Sequence, residues 1–289
     1  TGGMLGIKII CDMLIEKDDE VLIVGPVWPN IRSSVILRQG KVKEISLRLK
    51  NKWQLDLNEL FNSISDKTKM VFINSPSNPT GWMLTENEQE EIIAYIRKKN
   101  CWLIADEVYH QIVYDREVAP SFLQHAKPDD KLIVINSSSK SFNMTGWRIG
   151  WLSHPEFLGE HIAKLVQIST TGVPEFLQDG FFSALINYKS IVKDVKNGLK
   201  QSRDLVFERT KNWKKIYMPE TNAAFYSFFR VKDMNNSIEY AKYLIEKTQV
   251  GLAPGVAFGE SGEGHLRLCF ASDLNYLEQI LNRLQKELS

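Results

Sequence analysis

Two side chains in one short stretch could do covalent and electrostatic chemistry together. In "NSSSKSFNMTGWRIGW", residues 136 to 151, Lys140 follows three serines and Arg148 comes eight positions later. An isolated lysine is by default a solvated surface residue. A lysine held unprotonated among hydroxyls can instead attack a carbonyl and form a Schiff base. Other polar residues recur at the ends of apolar runs: Asn78 in "INSPSNPTG", Asp106 and Tyr109 in "ADEVY", and Ser137 and Ser139 beside Lys140. Each has an ordinary reading on its own. Asp106 could cap a helix, Asn78 before Pro79 could be turn chemistry, and Tyr109 and Trp28 could be packing. Arg148 could pair with any carboxylate.

The combination fits one chemistry better than any separate set of roles. A lysine that captures a carbonyl-bearing pyridine with a phosphate handle needs anion donors, a carboxylate for the ring nitrogen and a donor for the phenolic oxygen. Ser137, Ser139 and the potentially bidentate guanidinium of Arg148 are suitable phosphate ligands. So are the unpaired backbone N–H groups of Gly2, Gly3 and Met4 at the start of a helical pattern. Trp28 offers a flat face for a ring.

The elements that must position these residues are legible as alternating strands and helices. "EVLIVG" (20–25), "KVKEISL" (41–47), "KMVFINS" (69–75), "CWLIAD" (101–106) and "KLIVINS" (131–137) have strand length and β-branched content. Helical patterns run over 5–16, 56–64 and 85–99, the last opened by the capping box "TENE". Strands apolar throughout and separated by helices predict a mainly parallel sheet covered on both faces. Such sheets gather ligand groups at their strand ends. From about 155 to 214 the pattern is helical, broken near "TTGVPE" (170–175). Strand-like "AFYSFFRV" (224–231), a helix over 237–247, strand-like "HLRLCFA" (265–271) and a helix from Asp273 follow. The expected organisation is a large α/β domain over 1–205 and a smaller C-terminal α+β domain over 206–289.

Composition narrows the function classes. The 289 residues carry 36 basic and 35 acidic side chains, which gives no electrostatic case for nucleic acid or an acidic membrane surface. No apolar run has the length of a membrane span. Cys11, Cys101 and Cys269 are far apart and match no metal spacing, so no metal is expected, and free thiols fit a cytoplasmic location. The chain opens Thr-Gly-Gly-Met straight into an apolar periodic segment, which reads as entry in mid-domain.

In family order, "TGGM", "PVWPN", "NSPSNPTG", "ADEVY", "SSSK" with "WRIG", and "HLRLCFA" resemble the class I/II aminotransferases, the fold-type I family that uses pyridoxal 5′-phosphate (PLP). The resemblance covers nearly the whole chain and implies a PLP-transferase fold. It implies Lys140 as the Schiff-base lysine and proton-moving base, Asp106 as partner of the pyridine nitrogen, and Tyr109 and Asn78 as partners of the phenolic oxygen. It implies Trp28 stacked on the ring, with Ser137, Ser139, Arg148 and the N–H groups of Gly3 and Met4 on the phosphate. Arg267 would grip the substrate α-carboxylate as a fork-to-fork pair, with Asn78 beside it. The family's reaction moves an amino group between an L-amino acid and a 2-oxo acid, and its members are usually homodimers.

Two departures accompany the resemblance. Family members carry an N-terminal arm and part of the small domain ahead of the point where this chain starts. The chain as it stands is therefore expected to bind PLP and to transaminate poorly. In "MPETNAAFYSF", Asn222-Ala223 stands where many relatives have a glycine-rich turn. Two alternatives share the same residues: a PLP lyase or synthase (a C–S lyase or an aminocyclopropane carboxylate synthase-like enzyme), and the PLP-sensing domain of a regulator. Product analysis would separate the first, and a basic winged domain upstream would mark the second.

Overall fold

The computed structural model describes all of Thr1–Ser289. Twelve strands run β1 (Glu20–Gly25), β2 (Lys41–Ser46), β3 (Arg48–Leu49), β4 (Trp53–Gln54), β5 (Thr68–Asn74), β6 (Trp102–Asp106), β7 (Leu132–Ser137), β8 (Gly150–Ser153), β9 (Ile216–Tyr217), β10 (Tyr226–Val231), β11 (Ala253–Pro254) and β12 (His265–Cys269). Ten α-helices are α1 (Gly2–Leu14), α2 (Asn30–Leu37), α3 (Leu57–Ser63), α4 (Glu86–Lys99), α5 (Ser138–Ser141), α6 (Gly159–Thr170), α7 (Glu175–Ile186), α8 (Tyr188–Thr210), α9 (Ser237–Thr248) and α10 (Leu274–Leu288).

The main sheet has the order β2-β1-β5-β6-β7-β8. Every pairing is parallel except β7–β8. The antiparallel exception arises because the chain turns back after Ser137 through a short helix and loop instead of crossing over. The sheet is thus mainly parallel, as the run of apolar strands predicted. Side chains alternate across it. Leu22, Val24, Val71, Ile73, Leu103, Ala105 and Val134 join one buried cluster, and Val21, Ile23, Met70, Phe72, Ile104, Ile133 and Ile135 join another on the opposite face. Two-sided burial explains why these strands read as apolar throughout and not as alternating. Full burial of each such side chain stabilises by about 1.5–3 kcal/mol.

Helix α4 begins where its sequence said it would. The Thr85 hydroxyl accepts from the Glu88 N–H, and the Thr85 N–H donates to the Glu88 carboxylate at 2.7 Å. Helix α1 lays Ile7, Ile10, Cys11 and Leu14 on the sheet, an i, i+3, i+4, i+7 stripe. Helix α2 after Trp28-Pro29 was not anticipated; it is short, and only Ile31, Ser34 and Val35 are buried.

The second sheet, β11-β12-β10-β9, is antiparallel. One of its faces, with Phe229, Val231, Leu266 and Leu268, packs on α9, α10 and the end of α8. Helix α10 supplies Leu277, Leu281, Leu284 and Leu288 from one stripe. The other face turns Phe228 toward the main sheet's core. A strand sandwiched this way fixes Tyr226 and Arg267 relative to the main sheet's strand ends.

Candidate active site

Register collects the chemistry. Asn74 pairs with Asp106 across β5–β6, and Asp106 pairs with Ile135 across β6–β7. Parallel strands in register finish together, so Asn74, Asp106 and Ser137 crowd one end of the sheet. A cavity of about 300 Å³ opens there, lined by Gly3, Met4, Ile7, Trp28, Asn74, Asn78, Asp106, Val108, Tyr109, Ile135, Ser137, Ser139, Lys140, Arg148, Tyr226 and Arg267. Gly3, Met4, Trp28, Asn78, Asp106, Tyr109, Ser137, Ser139, Lys140, Arg148 and Arg267, singled out from the sequence, all line this one space. A second cleft of about 340 Å³, between Lys52, Trp82, Arg116 and Glu220, shares none of them.

Local structure explains each placement. Ser137 is the N-cap of the four-residue α5: its hydroxyl accepts from the Ser139 N–H at 3.1 Å and lies 3.0 Å from the Ile149 carbonyl. Its oxygen is also 2.9 Å from the Ser139 hydroxyl. Ser137 therefore both builds the turn that presents Lys140 and faces the cavity. Arg148 adopts a left-handed backbone, φ 55°, and donates to the Thr145 carbonyl at 2.8 Å. Its guanidinium lies against the start of α1, where a Cβ on Gly2 would come within 2.7 Å of Nη2. A Cβ on Gly150 would sit 2.5 Å from the Gly3 nitrogen, so the "RIG" glycine lets β8 approach the first turn of α1. The sequence reading missed that pairing of glycines.

The loop after β5 is stapled by Asn74. Its side-chain amide donates to the carbonyls of Pro76 and Asp106 at 3.1 and 2.9 Å, and its oxygen accepts from the Asn78 N–H at 2.8 Å. The Trp28 N–H donates to the Asn78 carbonyl at 3.0 Å, which brings the indole to the cavity wall. Gly81 ends the loop at φ 67°, where a Cβ would meet Thr221 at 2.5 Å. In the facing turn it is Ala224, not Ala223, that takes the left-handed conformation, φ 57°.

Charge is unbalanced in this space. Lys140, Arg148 and Arg267 line it, and none of the three is in an ion pair. Asp106 is the single carboxylate among the lining residues. Burial pushes Asp106 up to about 6, opposed by the Val108 N–H and by Lys140. Burial lowers the Lys140 amine below the usual lysine range, opposed by Cys269 and Asp106. A lysine eased toward its neutral form is a competent nucleophile. A buried carboxylate with one hydrogen bond is suited to a cationic partner. Two guanidiniums without anions are suited to a phosphate and a carboxylate.

Arg267 reaches across from β12. Its Nη1 donates to the Asn78 side-chain oxygen at 2.7 Å, and its guanidinium lies 4.5 Å over the Tyr226 ring and 4.8 Å over the Phe258 ring. Its Nε is buried without a partner. Tyr226 was not anticipated from the sequence. Its hydroxyl is 3.0 Å from that of Tyr109, and both rings are buried. Alternation in "AFYSFFRV" was the available signal, since Tyr226 and Phe228 share a face.

Comparison with known proteins gives the same direction. Residues 1–284 match the family model described as aminotransferase class I and II. The chain is 32% identical to aromatic-amino-acid aminotransferase 2 of Thermococcus litoralis over 277 residues, 95% of this chain and 71% of that protein. It is 32% identical to the aspartate aminotransferase of Pyrococcus horikoshii over 291 residues, covering 74% of that protein. Among solved structures, the aromatic aminotransferase from Pyrococcus horikoshii superposes with a TM-score of 0.92 at 29% identity, over 99% of this chain and 76% of the other. The aspartate aminotransferase from Thermotoga maritima superposes with a TM-score of 0.90 at 30% identity, over 99% and 74%. On the family match, the fold and the relatives together, the chain belongs to the class I and II aminotransferases and is an enzyme of that fold-type I, PLP-dependent family.

Proposed function

We propose that this cavity holds pyridoxal 5′-phosphate on Lys140 and serves transfer of an amino group between an L-amino acid and a 2-oxo acid. The observation that supports this most is the charge pattern: three unpaired cations and one buried carboxylate around a space of ligand size. The bound cofactor would supply a reactive carbonyl and a ring that accepts electrons from the substrate's Cα–H bond.

The chain's own residues would do the rest. Arg148, Ser137, Ser139 and the N–H groups of Gly3 and Met4 bind the phosphate at the positive end of α1. Asp106 would pair as a carboxylate with the cofactor's ring nitrogen and favour that nitrogen's protonated form. The Tyr109 hydroxyl and the Asn78 amide, whose oxygen is already engaged by Arg267, donate toward the phenolic oxygen. Trp28 covers one face of the ring. Arg267 holds the substrate carboxylate, which sets which Cα bond lies perpendicular to the ring. Lys140 would hold the cofactor's carbonyl carbon and would serve as the base for the substrate's Cα proton.

The reading includes two units, 1–205 and 206–289, supported by the separate cluster formed by Val206, Phe229, Leu266, Leu284 and their neighbours. It also includes a homodimer. Helix α7 has no buried residue, yet it exposes Phe176, Phe182 and Ile186, with Ile168 of α6 nearby in sequence. An apolar helix so exposed fits burial against a second copy. No helix is long and apolar enough to cross a membrane, and a cytoplasmic location fits the three free cysteines.

The test is a half-reaction. Single L-amino acids are added to the PLP-loaded protein, with the visible spectrum and the 2-oxo acid product followed together. Stoichiometric oxo-acid release with loss of the visible band is expected. Release of ammonia or a thiol in place of the transferred amino group would contradict transfer.

A further inference from the structure

In the proposed site Tyr109 donates its hydrogen into the cavity, and a second phenol decides where this hydrogen points. The Tyr109 and Tyr226 oxygens are 3.0 Å apart in a buried setting, and neither hydroxyl has another hydrogen-bond partner in the protein. Each phenol has one hydrogen. If Tyr109 donated to Tyr226, its hydrogen would be used within the protein; if Tyr226 donates, the Tyr109 hydrogen is free to face the cavity.

Two features favour the second arrangement. The Arg267 guanidinium lies 4.5 Å over the Tyr226 ring, and a cation on the π face withdraws electron density and makes that O–H the stronger donor. Backbone geometry also aims Tyr226 at its partner. Ala224, two residues earlier, is held at φ 57° by its N–H donating to the Ile112 carbonyl at 2.9 Å and by the Tyr114 hydroxyl donating to its carbonyl at 2.6 Å. A left-handed alanine persists only when its surroundings enforce it. In β10–β12, Tyr226 stands opposite Cys269 and Phe228 opposite Arg267, so Arg267 meets Tyr226 on the diagonal of one face.

We infer that Tyr226 is a positioning residue: it donates its hydroxyl hydrogen to Tyr109 and thereby directs the Tyr109 hydrogen to the cofactor's phenolic oxygen. Through the ring beneath Arg267, it couples the substrate-carboxylate side of the site to the cofactor side. The inference rests on the proposed placement of the cofactor on Lys140.

The experiment is a pH titration of the visible absorption band in the PLP-loaded wild type, Tyr226→Phe, Tyr109→Phe and the double variant. Losing a neutral hydrogen bond that strengthens the Tyr109 donor should raise the apparent pKa of the lysine-bound cofactor by roughly 0.5 to 1 unit in Tyr226→Phe. Tyr109→Phe should shift it at least as far. The double variant should match Tyr109→Phe alone, because Tyr226 acts through Tyr109. A Tyr226→Phe protein that titrates with the wild type overturns the inference, as does a further shift in the double variant. A wild type without any band reducible onto Lys140 would instead overturn the cofactor placement itself. If Tyr226→Phe does not fold, the Tyr226→Leu protein, whose side chain has no hydrogen-bonding atom, answers the same question.

Discussion

The Arg267 guanidinium donates to the Asn78 side-chain oxygen at 2.7 Å, joining two residues that are 189 positions apart in the chain. The contact ties the loop after β5 to strand β12 and leaves the Asn78 amide hydrogens directed elsewhere. It also explains how a residue on the smaller sheet can be part of a site built on the larger one.

Arg267→Lys keeps the charge and loses the planar fork. A charge-assisted bidentate pair contributes roughly 1.5–3 kcal/mol, so KM for the amino donor should rise by about 10- to 100-fold. The visible band of the bound cofactor should persist, with its titration shifted in the same direction as in Tyr226→Phe, and steady-state kinetics with parallel absorption spectra checks both. An unchanged KM would remove Arg267 from the substrate carboxylate.

Asp106→Asn should leave the fold intact and reduce turnover by at least 10²-fold, the scale seen when a single preorganised electrostatic contact is removed. Single-turnover proton abstraction, measured with a Cα-deuterated donor, should slow to the same degree. A variant with near wild-type abstraction would show that the ring nitrogen needs no carboxylate here.

Stability of the cofactor-free protein should fall as pH rises. Burial lifts Asp106 from 3.8 to about 6 and Glu107 from 4.5 to about 7. The folded chain therefore binds these protons more tightly than the unfolded chain, and the stabilisation present below pH 4 is lost as pH climbs through 6 and 7. Each group contributes on the order of 3 kcal/mol across that window. Glu107→Gln should flatten the curve; its amide can still accept from the Phe122 N–H and face the Ser121 hydroxyl, which now meet the Glu107 carboxylate at 2.9 and 2.6 Å. Urea midpoints between pH 4 and 8 measure it, and equal slopes for variant and wild type would contradict the assignment.

Helix α7 provides a surface test. Phe182→Asp places a charge on an outward position that is 63% exposed in the single chain, so it should cost the monomer little. In a homodimer the same charge would be buried and unpaired. Sedimentation velocity at micromolar concentration should show a dimer for the parent and a monomer for the variant. A monomeric parent would contradict the dimer.

Much of this architecture was readable in the sequence because each signal was local. The apolar strands 20–25, 69–75, 101–106 and 131–137 lie within a residue or two of β1, β5, β6 and β7, since two-sided burial leaves few polar positions to blur them. The capping box at Thr85 needs only four residues. The residues that line the cavity were legible through motif order. What stayed hidden depends on through-space neighbours. Tyr226 faces Tyr109 only because the start of β10 packs against the turn after β6 that carries Tyr109 and Ile112. Asn74 reads as an ordinary strand end until its three hydrogen bonds are drawn. The closeness of Gly150 to Gly3 comes from the return of β8, which no local periodicity encodes. Helix α7 rests Phe181 on Phe142 and Trp151 yet buries no residue fully and leaves Phe176, Phe182 and Ile186 exposed, a pattern that one chain alone does not explain.

The most direct test of the central claim is reductive trapping. PLP-loaded protein is treated with borohydride, digested, and mapped by mass spectrometry. The account predicts loss of the visible band and a pyridoxyl label on Lys140 alone, with neither band nor label in Lys140→Ala. A reducible adduct that persists in Lys140→Ala, or a label on another lysine of the wild type, would contradict it.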